Sequence, residues 1–235
     1  MDWYLITYIG ALLAAAVSMF AQARVRSTYN KFSAYDNKNG ITGVETARKL
    51  LESAGVYDMK IEETEGVLSD HYDPQTETLF LSRGVHSSKS LSAVGIAAHE
   101  AAHAIQHYEG YAPLAARQNF VRFANIGSKL SMPIVGIGLL LMIYETFFDM
   151  GYLLINAGLI LFTAVVILQL ITLPVEFNAS SRALAMLESQ EILTEEEMHG
   201  ADKVLSAAAW TYIAATIAAV LTLIRLLLIA KGRRR

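Results

Sequence analysis

The chain has 235 residues, of which 54% are hydrophobic, a formal net charge of −3 and no cysteine. Soluble domains are usually about 45–50% apolar, so this composition indicates membrane-spanning segments. The small negative charge argues against a basic nucleic-acid-binding protein. The lack of cysteine excludes disulfides, cysteine-ligated zinc, iron–sulfur clusters and thiol catalysis. Any chemistry must therefore come from His, Asp, Glu, Ser, Tyr or Arg.

Several apolar runs are long enough to cross a hydrocarbon core of about 30 Å as helices. These runs are 3–23, 130–148, 150–175 and 204–224. The first has no basic residue before it and no small-residue cleavage site after it, which predicts a retained anchor. The two middle runs nearly touch, so we expect a tight helical hairpin with its turn at residues 149–151. Arg225 interrupts the end of the last run, whose start could also pack inside the protein, so we expect three to four spans.

Local signals in the polar segment 24–129 predict a small α+β domain. The Thr42–Glu45 segment is a capping-box pattern, and the Asp73–Gln75 segment has the chemistry of a turn. The expected elements are a helix opened by the capping box, a short strand at 56–61, a hairpin at 68–82 and a helix from Ser87–Ser90 to about Tyr108.

The last of these helices contains the pattern H-E-x-x-H as His99, Glu100 and His103. Histidines at i and i+4 lie on one helix face, so both imidazoles can bind a single zinc ion. The intervening glutamate can then take a proton from a water molecule activated by the metal. The alternative is that both histidines are core residues bonded to backbone carbonyls, with Glu100 facing water.

A third zinc ligand must come from elsewhere in the chain. His107 is about 12 Å from His99 along a straight helix, too far to share one ion, and we expect it to support the site or lie on the surface. Glu176 follows the third span, and the hairpin before it returns the chain to the side of His99. We expect Pro174 to mark a break before it. The alternative is that Glu176 is an ordinary charge at a helix N-terminus.

The motifs resemble those of the YugP-like family of integral-membrane zinc metallopeptidases, distant relatives of the HtpX and CAAX-prenyl endopeptidase type. The segments that carry the resemblance are Asp70–Pro74, Ala98–Gln106, Pro174–Ala183 and Gly200–Leu205. The resemblance implies that His99, His103 and Glu176 bind one Zn²⁺ per chain and that Glu100 is the general base. The HtpX-type pattern usually has Asp where this chain has Ser180, which leaves open the residue that orients the histidines.

This resemblance implies a membrane-bound zinc endopeptidase that hydrolyses protein substrates, membrane or misfolded proteins, at the membrane surface. The oxyanion requires a donor besides the metal, and the candidates are His199, Arg182, Tyr72 and His71. Leu79–Leu81 could be an exposed edge strand that pairs with an extended substrate, or an ordinary core strand. The alternative function is a non-enzymatic membrane protein, a scaffold or a metal-binding or transport protein, with a structural His pair.

The expected fold is a mostly α-helical integral membrane protein with a small α+β, gluzincin-like zincin domain. The expected division is an N-terminal transmembrane helix at 1–23, a catalytic domain at 24–129, a transmembrane hairpin at 130–175, a third-ligand helix with an acidic segment at 176–203, and a hydrophobic helix with a basic tail at 204–235.

Basic residues flank the spans on the side of the predicted catalytic segments. They are Arg24, Arg26, Lys31, Lys38, Arg117, Arg122, Lys129, Arg182 and Lys203. By the positive-inside rule we expect these segments to face the cytoplasm, in a bacterial plasma membrane. The basic tail at 231–235 conflicts with four spans, which would place it on the opposite side.

We expect protein or peptide substrates and the lipid bilayer as partners, and no nucleic acid.

Overall fold

A computed structural model describes residues 3–232 of the chain. Met1, Asp2 and the three arginines 233–235 of the predicted basic tail lie outside the described residues. The helices are α1 (Trp3–Phe32), α2 (Gly43–Ser53), α3 (Arg83–His86), α4 (Leu91–Tyr108), α5 (Ala112–Leu141), α6 (Phe148–Ser189) and α7 (Glu195–Gly232). The strands are β1 (Lys60–Thr64), β2 (His71–Asp73) and β3 (Thr78–Ser82), and a 3₁₀ turn covers Glu145–Phe147. The chain is therefore mostly helical with a small sheet, as its composition predicts.

Four helical stretches among residues 3–232 are long and apolar enough to cross a membrane. They are Ile9–Phe32, Ala112–Leu141, Glu145–Ser189 and Glu195–Lys231. Three of the four continue past the apolar run that predicted them into polar sequence, because no breaker stops the helix. Ala112–Leu141 begins before the predicted run 130–148 but ends at Leu141, so the extension of this span to residue 148 is wrong. The predicted break at Pro174 is wrong, since this proline lies inside α6. Membrane helices tolerate proline where neighbouring groups satisfy the freed carbonyl.

The chain forms two compact units. The helical unit consists of the described parts of 1–20, 116–173 and 212–235, and the sheet unit consists of 21–115 and 174–211.

In the helical unit, α5 and α6 form the predicted hairpin and pack with their backbones close together. A Cβ atom added to Gly138 would lie 2.7 Å from the carbonyl oxygen of Gly151. A Cβ atom added to Gly151 would lie 2.5 Å from the carbonyl oxygen of Gly138. Small residues permit this approach between membrane helices. The turn falls at residues 142–147 instead of 149–151, because Asp149 begins α6, where a carboxylate complements the helix dipole.

In the sheet unit, the strand order is β1-β3-β2, with β1 parallel and β2 antiparallel to β3. The predicted hairpin at 68–82 is therefore confirmed. Of the two alternatives for Leu79–Leu81, the core strand is correct and the exposed edge is not, because β3 is the central strand and both leucines are fully buried. The free edge on this side belongs to β2. The strand expected at 56–61 begins only at Lys60, since residues 56–59 form a loop.

The core of the sheet unit surrounds α4. The Ser90 hydroxyl accepts from the Ala93 amide at 3.2 Å and caps the helix, as predicted. The Thr42–Glu45 capping box is also present and begins α2, which packs against α4. Six alanines of α4 are completely buried: Ala93, Ala97, Ala98, Ala101, Ala102 and Ala104. Their small side chains let neighbouring elements approach closely, so the histidines of α4 lie inside the protein.

Candidate metal centre

Three potential ligands converge on one point inside the sheet unit. His99 and His103 lie one turn apart on α4, and Glu176 comes from α6. The Nε2 atoms of His99 and His103 are 3.1 Å apart. The Oε2 atom of Glu176 lies 3.2 Å from Nε2 of His99 and 3.4 Å from Nε2 of His103. The exposed fraction is 9% for His99, 8% for His103 and 2% for Glu176. Two imidazole nitrogens and a carboxylate oxygen therefore face each other out of contact with bulk water.

This donor set fits a zinc ion. Tetrahedral zinc with bonds of about 2.0–2.1 Å to nitrogen and oxygen holds its ligand atoms about 3.3–3.4 Å apart. The three observed separations, 3.1 to 3.4 Å, are close to one face of such a tetrahedron. Three electron-rich atoms at this distance repel unless a proton or a metal cation lies among them. His99, His103 and Glu176 are therefore the residues that could hold the metal.

Gln106 fixes the tautomer of His103. The fully buried Gln106 side chain donates from its amide nitrogen to the Val175 carbonyl at 3.0 Å and to Asn178 Oδ1 at 2.8 Å. A backbone carbonyl can only accept, so the Gln106 oxygen must be the atom that faces His103. It lies 3.0 Å from Nδ1 of His103, which must then carry the proton. When the ring is neutral, its Nε2 lone pair is thereby left to face the other two ligands.

Ser180 occupies the corresponding position beside His99. Its hydroxyl oxygen lies 3.2 Å from Nδ1 of His99, and it stands one helical turn after Glu176 on α6. Ser180 thus contacts the ligand histidine from the position where the HtpX-type pattern has Asp. Gln106 and Ser180 therefore occupy positions from which they could orient the two histidines, the role that the sequence left open. The spacing of Gln106 from His103, i+3 on one helix, was the signal that could have identified it.

The electrostatics of the cluster favour a cation. Burial by itself lowers the pKa of His103. The hydrogen bond to Glu176, the charges of Glu100 and Glu176 and the bond to Gln106 outweigh burial, so the pKa of His103 lies above its usual value. The surroundings of this buried imidazole therefore stabilise positive charge.

Glu100 lies at the free edge of the sheet. Its Oε2 atom accepts a hydrogen bond from the Tyr72 amide at 3.1 Å, and Tyr72 is the central residue of β2. This amide points away from β3, towards α4. Asp70, just before β2, accepts from the amide and hydroxyl of Ser82 on β3, which ties the edge strand in place. The predicted general base is therefore beside a short edge strand instead of in open solvent.

His107 stands beside a cavity and is not part of the ligand cluster, which agrees with the expectation from helix geometry. Its Nδ1 atom lies 2.7 Å from the Tyr72 hydroxyl. Burial, with the nearby Glu77 and Asp73 carboxylates, raises the pKa of Tyr72 to about 12. The Tyr72 hydroxyl thus stays protonated. Both side chains line a cavity of about 480 Å³ whose other walls include Val56, Met59, Glu77 and Tyr108.

The structure does not bring the other predicted oxyanion donors to the cluster. Arg182 donates to Asn178 Oδ1 at 2.9 Å and to Glu109, so it supports the Gln106 network from outside. His71 contacts the Ser69 carbonyl and stacks on Phe80. His199 lines a separate cavity with Leu91, which lies about 12 Å before His99 along α4. We therefore leave His199 and Arg182 out of the proposed catalytic set.

A site of two H-E-x-x-H histidines and a later glutamate is the type found in zinc-dependent peptidases. Residues 7–231 match the family described as "Putative neutral zinc metallopeptidase", and the chain belongs to this family. The chain is 42% identical over 219 residues to the "Putative membrane protease YugP" of Bacillus subtilis (strain 168), and the alignment covers 93% of each chain. No solved structure matches the chain. The family resemblance stated from the motifs is confirmed.

Proposed function

We propose that this protein is a membrane-bound zinc endopeptidase that hydrolyses peptide bonds of membrane or misfolded proteins at the membrane surface. The observation that carries the proposal is the convergence of His99, His103 and Glu176 at separations of 3.1 to 3.4 Å. The arrangement is gluzincin-like, with two histidines from one helix and a glutamate from a later one. Membership of the metallopeptidase family supports the same conclusion.

Each side chain has a separate role in this proposal. His99, His103 and Glu176 would hold one zinc ion, which would supply Lewis acidity for the attack of water on the scissile carbonyl. Glu100 accepts the proton from the attacking water and returns it to the leaving amine. The Tyr72 amide bond holds the Glu100 carboxylate at the edge of β2. Gln106 and Ser180 keep the imidazole rings in position.

The substrate backbone binds along the free edge of β2. An extended peptide can add to an exposed strand edge through main-chain hydrogen bonds, which do not depend on side-chain identity. The Tyr72 amide already donates to Glu100, so the main-chain group of Tyr72 left to bond a peptide is its carbonyl, and a peptide at this edge lies against the general base. The neighbouring 480 Å³ cavity, which Tyr72 and His107 line, accepts one substrate side chain.

We further propose that segments 24–129 and 176–203 face the cytoplasm. The basic residues that flank the apolar runs support this orientation under the positive-inside rule. Because the chain has no cysteine, single cysteines can report the topology. In intact cells, a membrane-impermeant maleimide should label Asp149→Cys but not Lys60→Cys. Labelling of Lys60→Cys from outside would reverse the orientation.

The test of the enzyme uses full-length protein purified in detergent, with zinc content and cleavage of casein measured on the same samples. Glu100→Gln should keep its zinc and lose cleavage, while His99→Ala and Glu176→Ala should lose both. Glu52→Gln, an exposed glutamate on α2, is the matched control and should behave as wild type. A chelator should abolish cleavage and added zinc restore it.

Two results would contradict the proposal. Full cleavage by Glu100→Gln would remove the general base from the mechanism. Wild-type protein that binds no zinc would favour the alternative, a non-enzymatic membrane protein with a structural His pair.

A further inference from the structure

The sheet unit contains a second cavity, of about 430 Å³, that the peptidase proposal does not use. It lies at the N-terminal end of α4, and Leu91 in its wall is about 12 Å before His99 along that helix. Its lining residues come from α1, the loop that follows α1, the start of α4, and α7. They are Arg24, Ser27, Thr28, Lys31, Phe32, Tyr35, Leu91, Glu196, His199, Gly200 and Lys203. The volume is within the range of small-molecule sites, roughly 300–1,000 Å³.

The cavity is strongly basic. Arg24, Lys31 and Lys203 all face it, and within residues 3–232 none of the three forms an ion pair with a carboxylate. The one carboxylate in its wall, Glu196, is 3.0 Å from the ammonium of Lys38 and is thus offset by a cation outside the cavity. Among the described residues that line the cavity, three cations therefore stand against the one carboxylate of Glu196, and this net positive charge favours an anionic ligand.

Regular helix spacing builds these walls. Arg24, Thr28 and Lys31 recur at i, i+4 and i+7, so they share one face of α1. His199 and Lys203 recur at i and i+4 on α7. Gly200 lets α7 approach the floor of the cavity, because a Cβ atom there would lie 2.7 Å from Leu91 and 3.1 Å from Phe32. The cations thus surround a floor of two apolar side chains.

The position of the cations in the chain indicates the kind of anion. Arg24 is the first charge after the apolar run 3–23, and Lys203 is the last charge before the run 204–224. Basic residues at the ends of membrane helices lie at the level of lipid headgroups and attract anionic lipids. We propose that this cavity binds the phosphate of an anionic phospholipid headgroup, with Phe32 and Leu91 against its glycerol. The inference rests on membrane insertion of α1 and α7 and not on peptidase activity.

The test is native mass spectrometry of the full-length, delipidated protein in a non-ionic detergent. Short-chain phosphatidylglycerol is titrated in one arm and phosphatidylcholine in another. In a third arm, inorganic phosphate competes against bound phosphatidylglycerol. We expect phosphatidylglycerol to bind more tightly than phosphatidylcholine, and free phosphate not to displace it.

The site variant is Arg24→Gln/Lys203→Gln. At the contribution typical of a basic residue near an anionic membrane surface, it should weaken phosphatidylglycerol binding about 25-fold and leave phosphatidylcholine binding unchanged. The matched control is Arg48→Gln/Lys60→Gln, which removes two exposed charges elsewhere in the sheet unit and should bind as wild type. Both variants are required to retain wild-type zinc content and melting temperature. Lys31→Gln, expected to weaken binding about fivefold, replaces the double variant if that protein does not fold.

Several results would overturn the proposal. One is equal affinity of the wild type and the folded site variant for phosphatidylglycerol, and another is an equal loss in the control. Equal affinity for phosphatidylglycerol and phosphatidylcholine would show that the cavity does not select an anionic headgroup. Full displacement by inorganic phosphate would identify a soluble phosphate site and contradict the lipid headgroup.

Discussion

The Nδ1 atom of His103 and the Oε1 atom of Gln106 lie 3.0 Å apart inside the sheet unit. The same glutamine donates from its amide nitrogen to the carbonyl of Val175, the residue immediately before Glu176. The buried Gln106 side chain thus sets the tautomer of His103 and joins α4 to the segment of α6 that carries Glu176. The geometry of the cluster therefore depends on a residue that binds no metal in the proposal.

We expect Gln106→Ala to weaken zinc binding about 10- to 100-fold, the usual effect of removing a group that orients a ligand histidine. The variant leaves Nδ1 of His103 without its partner and frees the ring to rotate. Zinc affinity is measured by competition with a chromophoric chelator. Gln75→Ala, in an exposed turn of the sheet unit, is the control and should keep wild-type affinity. Unchanged affinity in Gln106→Ala would show that the ring is held in some other way.

Two substitutions of Ser180 should change zinc affinity in different directions. Its hydroxyl contact to Nδ1 of His99 is 3.2 Å long and only partly buried. Ser180→Ala should therefore weaken zinc binding by about tenfold at most, near the lower limit for such residues. Ser180→Asp should bind zinc at least as tightly as wild type, because a carboxylate raises the basicity of a ligand histidine. The same chelator competition applies, and a loss of affinity in both variants would contradict a hydrogen-bonding role.

The hydrogen bond from the Tyr72 amide in β2 to Glu100 leads to a prediction about the general base. Tyr72→Ala keeps the amide that bonds to Glu100, whereas Tyr72→Pro removes it. Proline is accepted on an edge strand where the amide points away from the ladder, so β2 should persist. We expect kcat for casein cleavage to be about tenfold lower in Tyr72→Pro than in Tyr72→Ala, since the lost bond is to a charged group. Equal kcat in the two variants, with zinc retained in both, would show that the function of Glu100 does not depend on the Tyr72 amide.

The α5–α6 hairpin predicts opposite effects at two glycines of one helix. In Gly138→Ala the new Cβ would approach the Gly151 carbonyl, and this overpacking should cost about 1–3 kcal/mol of stability. Gly136→Ala is the control, because nothing lies within 4 Å of its Cβ position. This second change should be neutral or stabilising by up to about 1 kcal/mol, the helix preference of alanine over glycine. Thermal unfolding in detergent compares them, and equal melting temperatures would contradict the close approach.

Much of the local structure could be predicted from neighbouring residues. The Ser90 cap, the Thr42–Glu45 capping box and the hairpin turn at Asp73–Gln75 depend on contacts within a few positions of the chain. The errors arose where a distant partner decides. β3 lies in the centre of its sheet because β1 joins it from a separate segment, and Pro174 stays helical within α6.

By itself, the sequence determined that the chain carries membrane-length helices, that cysteine chemistry is excluded, and that His99, Glu100 and His103 share one helix. These properties follow from composition and from the helical repeat, which need no knowledge of the rest of the molecule. Only the tertiary structure decided that Glu176 lies within 3.4 Å of both histidine nitrogens, that Gln106 bonds to Val175 and Ser180 contacts His99, and that His199 lines a different cavity. The reason is physical: these contacts join residues about 70 to 80 positions apart or on different helices, and packing, not chain spacing, sets their distances.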